Sequence, residues 1–179
     1  MKVAILGTRG IPNGYGGFEQ FAEFFSEGLA KKNINVTVYN PHYHFADNNN
    51  FKNVNIIHKW CPEDKFGAFA HYIYDYLCLK DAIRKNFDII IELGYATVAP
   101  SFVVTDFKKS KIITNLDGLE HKRSKWNFIT KKIIKISEKI AVEKSHYLIS
   151  DNSGIRDYFL NEYGKESTAI PYGSDIFDT

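Results

Sequence analysis

Gly7-Thr8-Arg9-Gly10-Ile11-Pro12-Asn13-Gly14-Tyr15-Gly16-Gly17 separates an apolar run, Val3 to Leu6, from an apolar-periodic stretch, Phe18 to Lys32. The run reads as a buried strand. The stretch reads as a helix with Phe21, Phe24, Phe25 and Leu29 on one face. Five of the chain's 12 glycines fall between the two. Glycine lets a backbone approach a ligand closely, and successive N–H groups at a helix start attract an anion. A tight turn that holds no ligand is the simpler reading of these residues; the adjacent pair Gly16-Gly17 favours contact with a phosphate or diphosphate. No Gly-Lys-Ser/Thr follows, so this is not a Walker A loop. A dinucleotide fingerprint fits poorly too. The glycine spacing is wrong, and the second strand ends at Tyr39-Asn40 with no acid for a ribose, which argues against a nicotinamide-dependent reductase.

Outward from this loop, short apolar runs alternate with helical periodicity. Asn35 to Tyr39, Val54 to Ile57, Asp88 to Leu93, Lys111 to Asn115 and Tyr147 to Ser150 read as further strands. Phe66 to Lys85 reads as a helix with Phe69, Ile73, Leu77 and Ile83 near the required spacing, while Tyr74, Tyr76 and Phe69 are most simply packing residues. Lys125 to Lys144 reads as a long helix whose apolar stripe is Ile129, Ile133, Ile136 and Ile140. Asn48-Asn49-Asn50 is a polar loop tip. Strand–helix alternation of this kind implies βαβ units and a doubly wound, Rossmann-like parallel sheet. Ligands then belong beyond the carboxyl ends of the strands.

Composition limits the function. Of 179 residues, 44% are hydrophobic, 25% charged and 15% aromatic, enough for one packed domain. A formal charge of +2 excludes a strongly cationic nucleic-acid binder. Lys108 to Ser145 nevertheless holds 11 basic and 4 acidic residues, against 12 basic and 17 acidic elsewhere, so one region is positive. Two separated cysteines, Cys61 and Cys78, make neither a disulfide framework nor a zinc site, and His42 and His44 lie in a different loop from His121. Without a signal-peptide layout or a long apolar run, a cytoplasmic location is expected.

A second cluster follows the Lys111–Asn115 strand: Asp117-Gly118-Leu119-Glu120-His121-Lys122-Arg123-Ser124-Lys125-Trp126. Two carboxylates, an imidazole and three cations at a ligand-facing end could hold a sugar hydroxyl, orient a nucleophile and grip a phosphate. Helix capping and surface ion pairing would account for Lys122 and Lys125; Asp117 and His121 point more to function. Glu92-Leu93-Gly94-Tyr95 ends the central strand at the same cleft. In Ser150-Asp151-Asn152-Ser153, Asp151 or Asn152 is either a helix cap or a ligand.

Four ordered motifs then resemble family 4 glycosyltransferases of the GT-B fold, in the rhamnosyltransferase-like subgroup. They are Gly7 to Pro12 with Tyr15 to Glu19; Asp117 to Glu120 with Lys122-Arg123 and Lys125-Trp126; Ile149 to Asn152; and Ile170-Pro171-Tyr172-Gly173-Ser174-Asp175. The resemblance covers essentially the whole chain and corresponds to that family's amino-terminal, acceptor-side half. It implies that residues 1–171 form the acceptor domain and that 172–179 begin a hinge to an absent carboxyl-terminal donor domain.

It also implies a retaining transfer of a sugar, rhamnose by subgroup, from a nucleotide-sugar to a lipid-linked or glycan acceptor in surface polysaccharide synthesis, with no metal or other cofactor. Gly16, Gly17 and Arg9 would meet the donor diphosphate. Tyr15, Gly94, Tyr95, Glu120, His121, Lys122 and Arg123 would meet the acceptor, and Asp117 would be catalytic. The positive face would rest on anionic lipid, peripheral at the inner membrane face. The chain alone would be inactive. Two positions depart from the family's pattern: Asp117 stands where many members carry His, and His121 where the subgroup often has Trp. The alternative from another class is a non-catalytic binding domain for a phosphorylated sugar or lipid-linked glycan.

Overall fold

The computed structural model describes residues 1–171. The expected Tyr172–Asp175 motif and the hinge over 172–179 lie outside the described residues. Among the described residues eight strands form one sheet: β1 (Lys2–Leu6), β2 (Asn35–Pro41), β3 (Asn50–Phe51), β4 (Val54–Lys59), β5 (Ile89–Leu93), β6 (Lys111–Asn115), β7 (Tyr147–Ser150) and β8 (Thr168–Ala169). Their spatial order is β3-β4-β2-β1-β5-β6-β7-β8, parallel throughout except for the antiparallel β3–β4 pair. The chain therefore grows outward from β1 through β2 and β4, then returns to β1's other side as β5. That reversal makes the β1/β5 carboxyl ends the topological switch point, where an open α/β sheet leaves a crevice.

Parallel strands buried on both faces explain the continuous apolar runs. Val3 and Ile5 of β1 pack under α1 (Gly17–Lys31) with Val36, Val38 and Ile91; Ala4 and Leu6 pack on the other face with Tyr74, Cys78, Leu79 and Ala82 of α3 (Ala70–Arg84). A third cluster joins Tyr95, Ala99 and Leu116 to Ile134, Ala141 and Val142 of α5 (Phe128–Lys144) and Phe159 of α6 (Ser153–Tyr163). Two short helices complete the fold, α2 (Glu63–Phe66) and α4 (Ala99–Val104); α4 packs against α5.

Three expectations about facing residues are corrected. On α1, Phe21, Phe25 and Leu29 pack on the core with the two phenylalanine rings stacked at 5.1 Å, but Phe24 is exposed. On α3 the inner face is Tyr74, Asp75, Cys78, Leu79, Ala82 and Ile83, while Phe69 precedes the helix and is exposed. On α5 the inner face is Ile134, Ser137, Glu138, Ala141 and Val142, and the stripe Ile129, Ile133 and Ile136 faces outward. In both α3 and α5 buried polar groups hold the inward positions, so apolar spacing alone selects the wrong face. The loop tip at Asn48 to Asn50 is also shorter than expected, because Asn50 already belongs to β3.

Candidate functional site

Gly7 leaves β1 at φ +78°, and a Cβ there would lie 2.6 Å from the Leu93 carbonyl oxygen. The two central strand ends thus touch backbone to backbone, a contact only glycine permits. The loop beyond is braced by Glu19, in the first turn of α1 and nearly fully buried, which accepts from Thr8 Oγ1 at 3.1 Å and from the Arg9 amide at 2.7 Å. Ile11 N–H donates to Asn40 Oδ1 at 3.1 Å, and Asn40 Nδ2 donates back to the Ile11 carbonyl at 2.8 Å, tying the loop to the end of β2.

Two adjoining hollows open at these strand ends, ≈ 260 Å³ and ≈ 400 Å³. They share Gly7, Phe18, Asp75, Thr97 and Glu120, and so form one cleft. The larger hollow is walled by Arg9, Tyr15, Gly16, Gly17 and His71. The Arg9 guanidinium lies 4.1 Å from the Tyr15 ring centroid and pairs with Glu63 at 3.0 Å. His71 Nε2 is 3.3 Å from Arg9, and burial together with that cation lowers its pKa. Gly17 opens α1 with nothing within 4 Å of a Cβ built on it, so a side chain there would enter the cleft and not the protein. A Cβ on Gly16 would meet Glu19 Oε2 at 3.3 Å. The carboxylate beside this helix start offsets part of its attraction for an anion, and Arg9 is the cationic side chain in the wall of this hollow.

The smaller hollow is walled by Gly94, Tyr95, Asp117, Gly118, Arg123 and Trp126. Asp117 lies just past β6; burial first, then the neighbouring Asp151 carboxyl, push its pKa up to about 6. Glu120 gathers Arg123 at 2.8 Å, Lys125 at 3.1 Å and Trp126 Nε1 at 2.9 Å. Burial opposes its charge, but those three donors hold its carboxyl below the usual range. Asn152 caps α6 by accepting from the Ile155 amide at 3.0 Å, which resolves the Asp151/Asn152 alternative: Asn152 is the cap and Asp151 stands beside Asp117.

Most sequence-selected residues therefore meet in this cleft: Arg9, Tyr15, Gly16, Gly17, Gly94, Tyr95, Asp117, Glu120 and Arg123. His121 and Lys122 line neither hollow. His121 Nδ1 lies 2.9 Å from Glu138 Oε2 inside the α5–α6 packing, and Lys122 Nζ lies 4.8 Å from the Tyr158 ring centroid. Glu138 is fully buried and also accepts from Tyr95 at 3.1 Å, Tyr158 at 2.9 Å and Tyr163 at 2.7 Å, with Lys135 Nζ at 2.9 Å. His121 is thus part of a brace behind Tyr95.

Asp75, Thr97 and His71 border the cleft without having been singled out from the sequence, and Phe18, part of the Tyr15–Glu19 motif but given no site role, borders it too. Asp75 lies on α3, accepts from Thr97 Oγ1, and is pushed up to about 7 by burial. Beneath it, Glu92 of β5 is fully buried with neither carboxylate oxygen hydrogen-bonded; burial and then Asp75 push its pKa well above the usual range. A charged residue inside the β5 apolar run and an aspartate beside Tyr74 on α3 were the available signals. Among the described residues no three His, Cys, Asp or Glu side chains come together as a metal site, and no helix is long and apolar enough to cross a membrane.

Sucrose-phosphate synthase from Thermosynechococcus elongatus is similar to this chain with a TM-score of 0.72 at 14% identity, over 97% of this chain and 48% of that one. A second structure of that synthase from the same organism gives 0.63 at 12% identity, over 98% of this chain and 91% of that one. Alpha,alpha-trehalose 6-phosphate synthase from Burkholderia multivorans gives 0.56 at 8% identity, over 96% and 48%. The chain spans about half the length of the first and third of these proteins. No curated protein matches it in sequence. The likeness is one of fold, and the fold is the α/β architecture of GT-B glycosyltransferases, as the motifs led us to expect. Residues 1–175 match the profile described as "Domain of unknown function (DUF1972)", and the chain belongs to that family.

Proposed function

We propose that this domain is the acceptor-side half of a glycosyltransferase that moves a sugar, with rhamnose the first candidate, from a nucleotide-sugar to a lipid-linked or glycan acceptor. The observation that carries the reading is the position of Asp117. It lies at the carboxyl end of β6, in the same cleft as the glycine loop. Its carboxylate would accept a hydrogen bond from the attacking hydroxyl and hold it in line, an effect of positioning. In a transfer that retains configuration, a leaving phosphate oxygen can take the proton, so Asp117 orients the hydroxyl and need not deprotonate it.

Arg9 and the N–H groups at the start of α1 would receive the donor diphosphate across the larger hollow, with no metal required. Gly94, Tyr95, Glu120 and Arg123 would meet the acceptor. His121 and Lys122 are reassigned to supporting the loop, because neither lines the cleft. A donor-binding domain would supply the opposite wall and exclude water, so the isolated 179-residue chain is expected to fold without transferring sugar.

The test is a transfer assay on the whole natural protein with a panel of nucleotide-sugars, dTDP-rhamnose first, and polyprenyl-diphosphate-linked saccharide acceptors. Transfer lost in Asp117→Asn supports the reading. Acceptor binding by a protein that transfers none of these sugars favours the non-catalytic alternative.

A further inference from the structure

Asp75 is 4% exposed, yet it lines both hollows of the cleft, as does Thr97 between β5 and α4. Its Oδ2 accepts from Thr97 Oγ1. Among the described residues no other side chain donates to it and no cation pairs with it. Glu92 below it lacks a donor for either oxygen. The cleft floor thus sets two buried carboxyls, on α3 and β5, against a single hydroxyl. Packing alone would be better served by apolar groups there, since each unmatched buried acceptor costs stability. Carboxyls kept at such a cost beside a cleft point to a ligand that supplies the missing donors.

The chemistry of that ligand follows from the floor. Burial, and for Glu92 also Asp75, raises both pKa values, so the floor offers little charge to a metal ion or an ammonium group. An ionised phosphate brings no donor and belongs at the Arg9 end. Neutral hydroxyls remain. Thr97 commits its hydrogen to Asp75, which leaves Thr97 Oγ1 and Asp75 Oδ1 as neighbouring acceptors, suited to adjacent hydroxyls on one ring. Phe18 also borders both hollows and gives an apolar surface for the ring's C–H face. We propose that Asp75 and Thr97 bind two adjacent hydroxyls of a sugar ring lying where the two hollows meet. That this ring belongs to a substrate rests on the transferase reading; that a vicinal diol binds here does not. The pair selects the sugar, and Asp117 holds the attacking hydroxyl.

Saturation-transfer NMR on the whole natural protein, titrated with the methyl glycosides of rhamnose, glucose and galactose, tests this. At least one should bind, and Asp75→Asn should weaken it by about tenfold or more. The same variant should melt no lower than the wild type in neutral buffer, because the amide oxygen still accepts from Thr97 and a buried carboxyl is gone. Deoxy analogues lacking either of two adjacent hydroxyls should bind the wild type about tenfold more weakly, and Asp75→Asn should discriminate against them far less. In transfer assays, a raised KM for the acceptor or for the donor tells which substrate carries the ring. Three results would overturn the proposal: none of the glycosides binds; Asp75→Asn binds them as the wild type does; or Asp75→Asn loses binding and melting temperature together, the mark of a brace. Asp75-dependent sugar binding by a protein that transfers nothing upholds this site and fails the transferase reading. Transfer with unaltered KM values in Asp75→Asn does the reverse.

Discussion

Asp117 and Asp151 stand just beyond the ends of the paired strands β6 and β7, and the Asp151 carboxyl helps to hold Asp117 at about 6. To accept a hydrogen bond from a sugar hydroxyl, Asp117 must be ionised. Transfer by the whole natural protein should therefore rise with pH through about 6. In Asp151→Asn the acidic limb should move down by about one pH unit, because the raising carboxyl is gone. A pH–rate profile checks this; an unmoved limb would mean that Asp117 does not govern it.

Asp117→Asn keeps the shape and loses the charge. We expect kcat to fall by about a hundredfold or more with donor KM nearly unchanged, as for a group that positions the nucleophile. His121→Ala should act differently, lowering the melting temperature through the Glu138 brace while leaving kcat within about threefold. Steady-state kinetics and thermal melts on the two variants separate these outcomes.

Gly7 and Gly17 lie in one loop and should behave in opposite ways. At Gly7, φ is +78° and the Leu93 carbonyl is 2.6 Å from a Cβ, so Gly7→Ala should cost about 2 kcal/mol or more of stability. Gly17→Ala meets nothing within 4 Å and should melt as the wild type. In the whole natural protein it should nonetheless lower kcat/KM for the donor by about tenfold. Urea denaturation of the chain gives the first result and donor kinetics the second.

Glu92 is a carboxylic acid with no hydrogen-bond partner for either oxygen, fully buried in the central strand. Replacing such a group by an apolar one of similar length removes an uncompensated burial cost. Glu92→Leu should raise stability by about 1–3 kcal/mol, measured by denaturation in neutral buffer.

Asp75 gives the pH counterpart. Its folded pKa, about 7, lies above the unfolded value, so the folded state holds an extra proton between the two. Stability from this group is present below the unfolded pKa, near 4, and is lost as pH rises to about 7. Asp75→Asn should flatten that decline, by about 4 kcal/mol at most. Denaturation in acidic and neutral buffers checks the slope; a steeper decline in the variant would refute the assignment.

The sheet was legible because parallel strands buried on both faces leave unbroken apolar runs such as Val3 to Leu6. The glycine loop was legible because a strand-to-helix turn at the switch point has strong local requirements. The inner faces of α3 and α5 were not. Spacing rules assume that buried means apolar, and these helices turn Asp75 and Glu138 inward, each served by partners distant in sequence: Thr97 for one, Tyr95 and Tyr163 for the other. The same blind spot set His121 beside Asp117 as a cleft residue. They are four positions apart, but His121 sits inside the 3₁₀ turn over Glu120–Lys122, and the imidazole ends against Glu138 on α5. Local sequence shows which residues are near a strand end; it does not show which way a loop turns them.

The brace around Glu138 has a consequence for how this domain can diversify. One carboxylate moors the Glu120–Trp126 loop through His121, the α6 end through Tyr158 and Tyr163, and the β5 exit through Tyr95. The anchor is internal, so an exchange of the exposed Arg123 or Lys125 removes an ion pair with Glu120 without unseating the loop. Acceptor preference could then drift by substitution at Arg123, which lines the cleft, in a frame that stays put, and a library randomised at that position should return mostly folded members with altered acceptor choice.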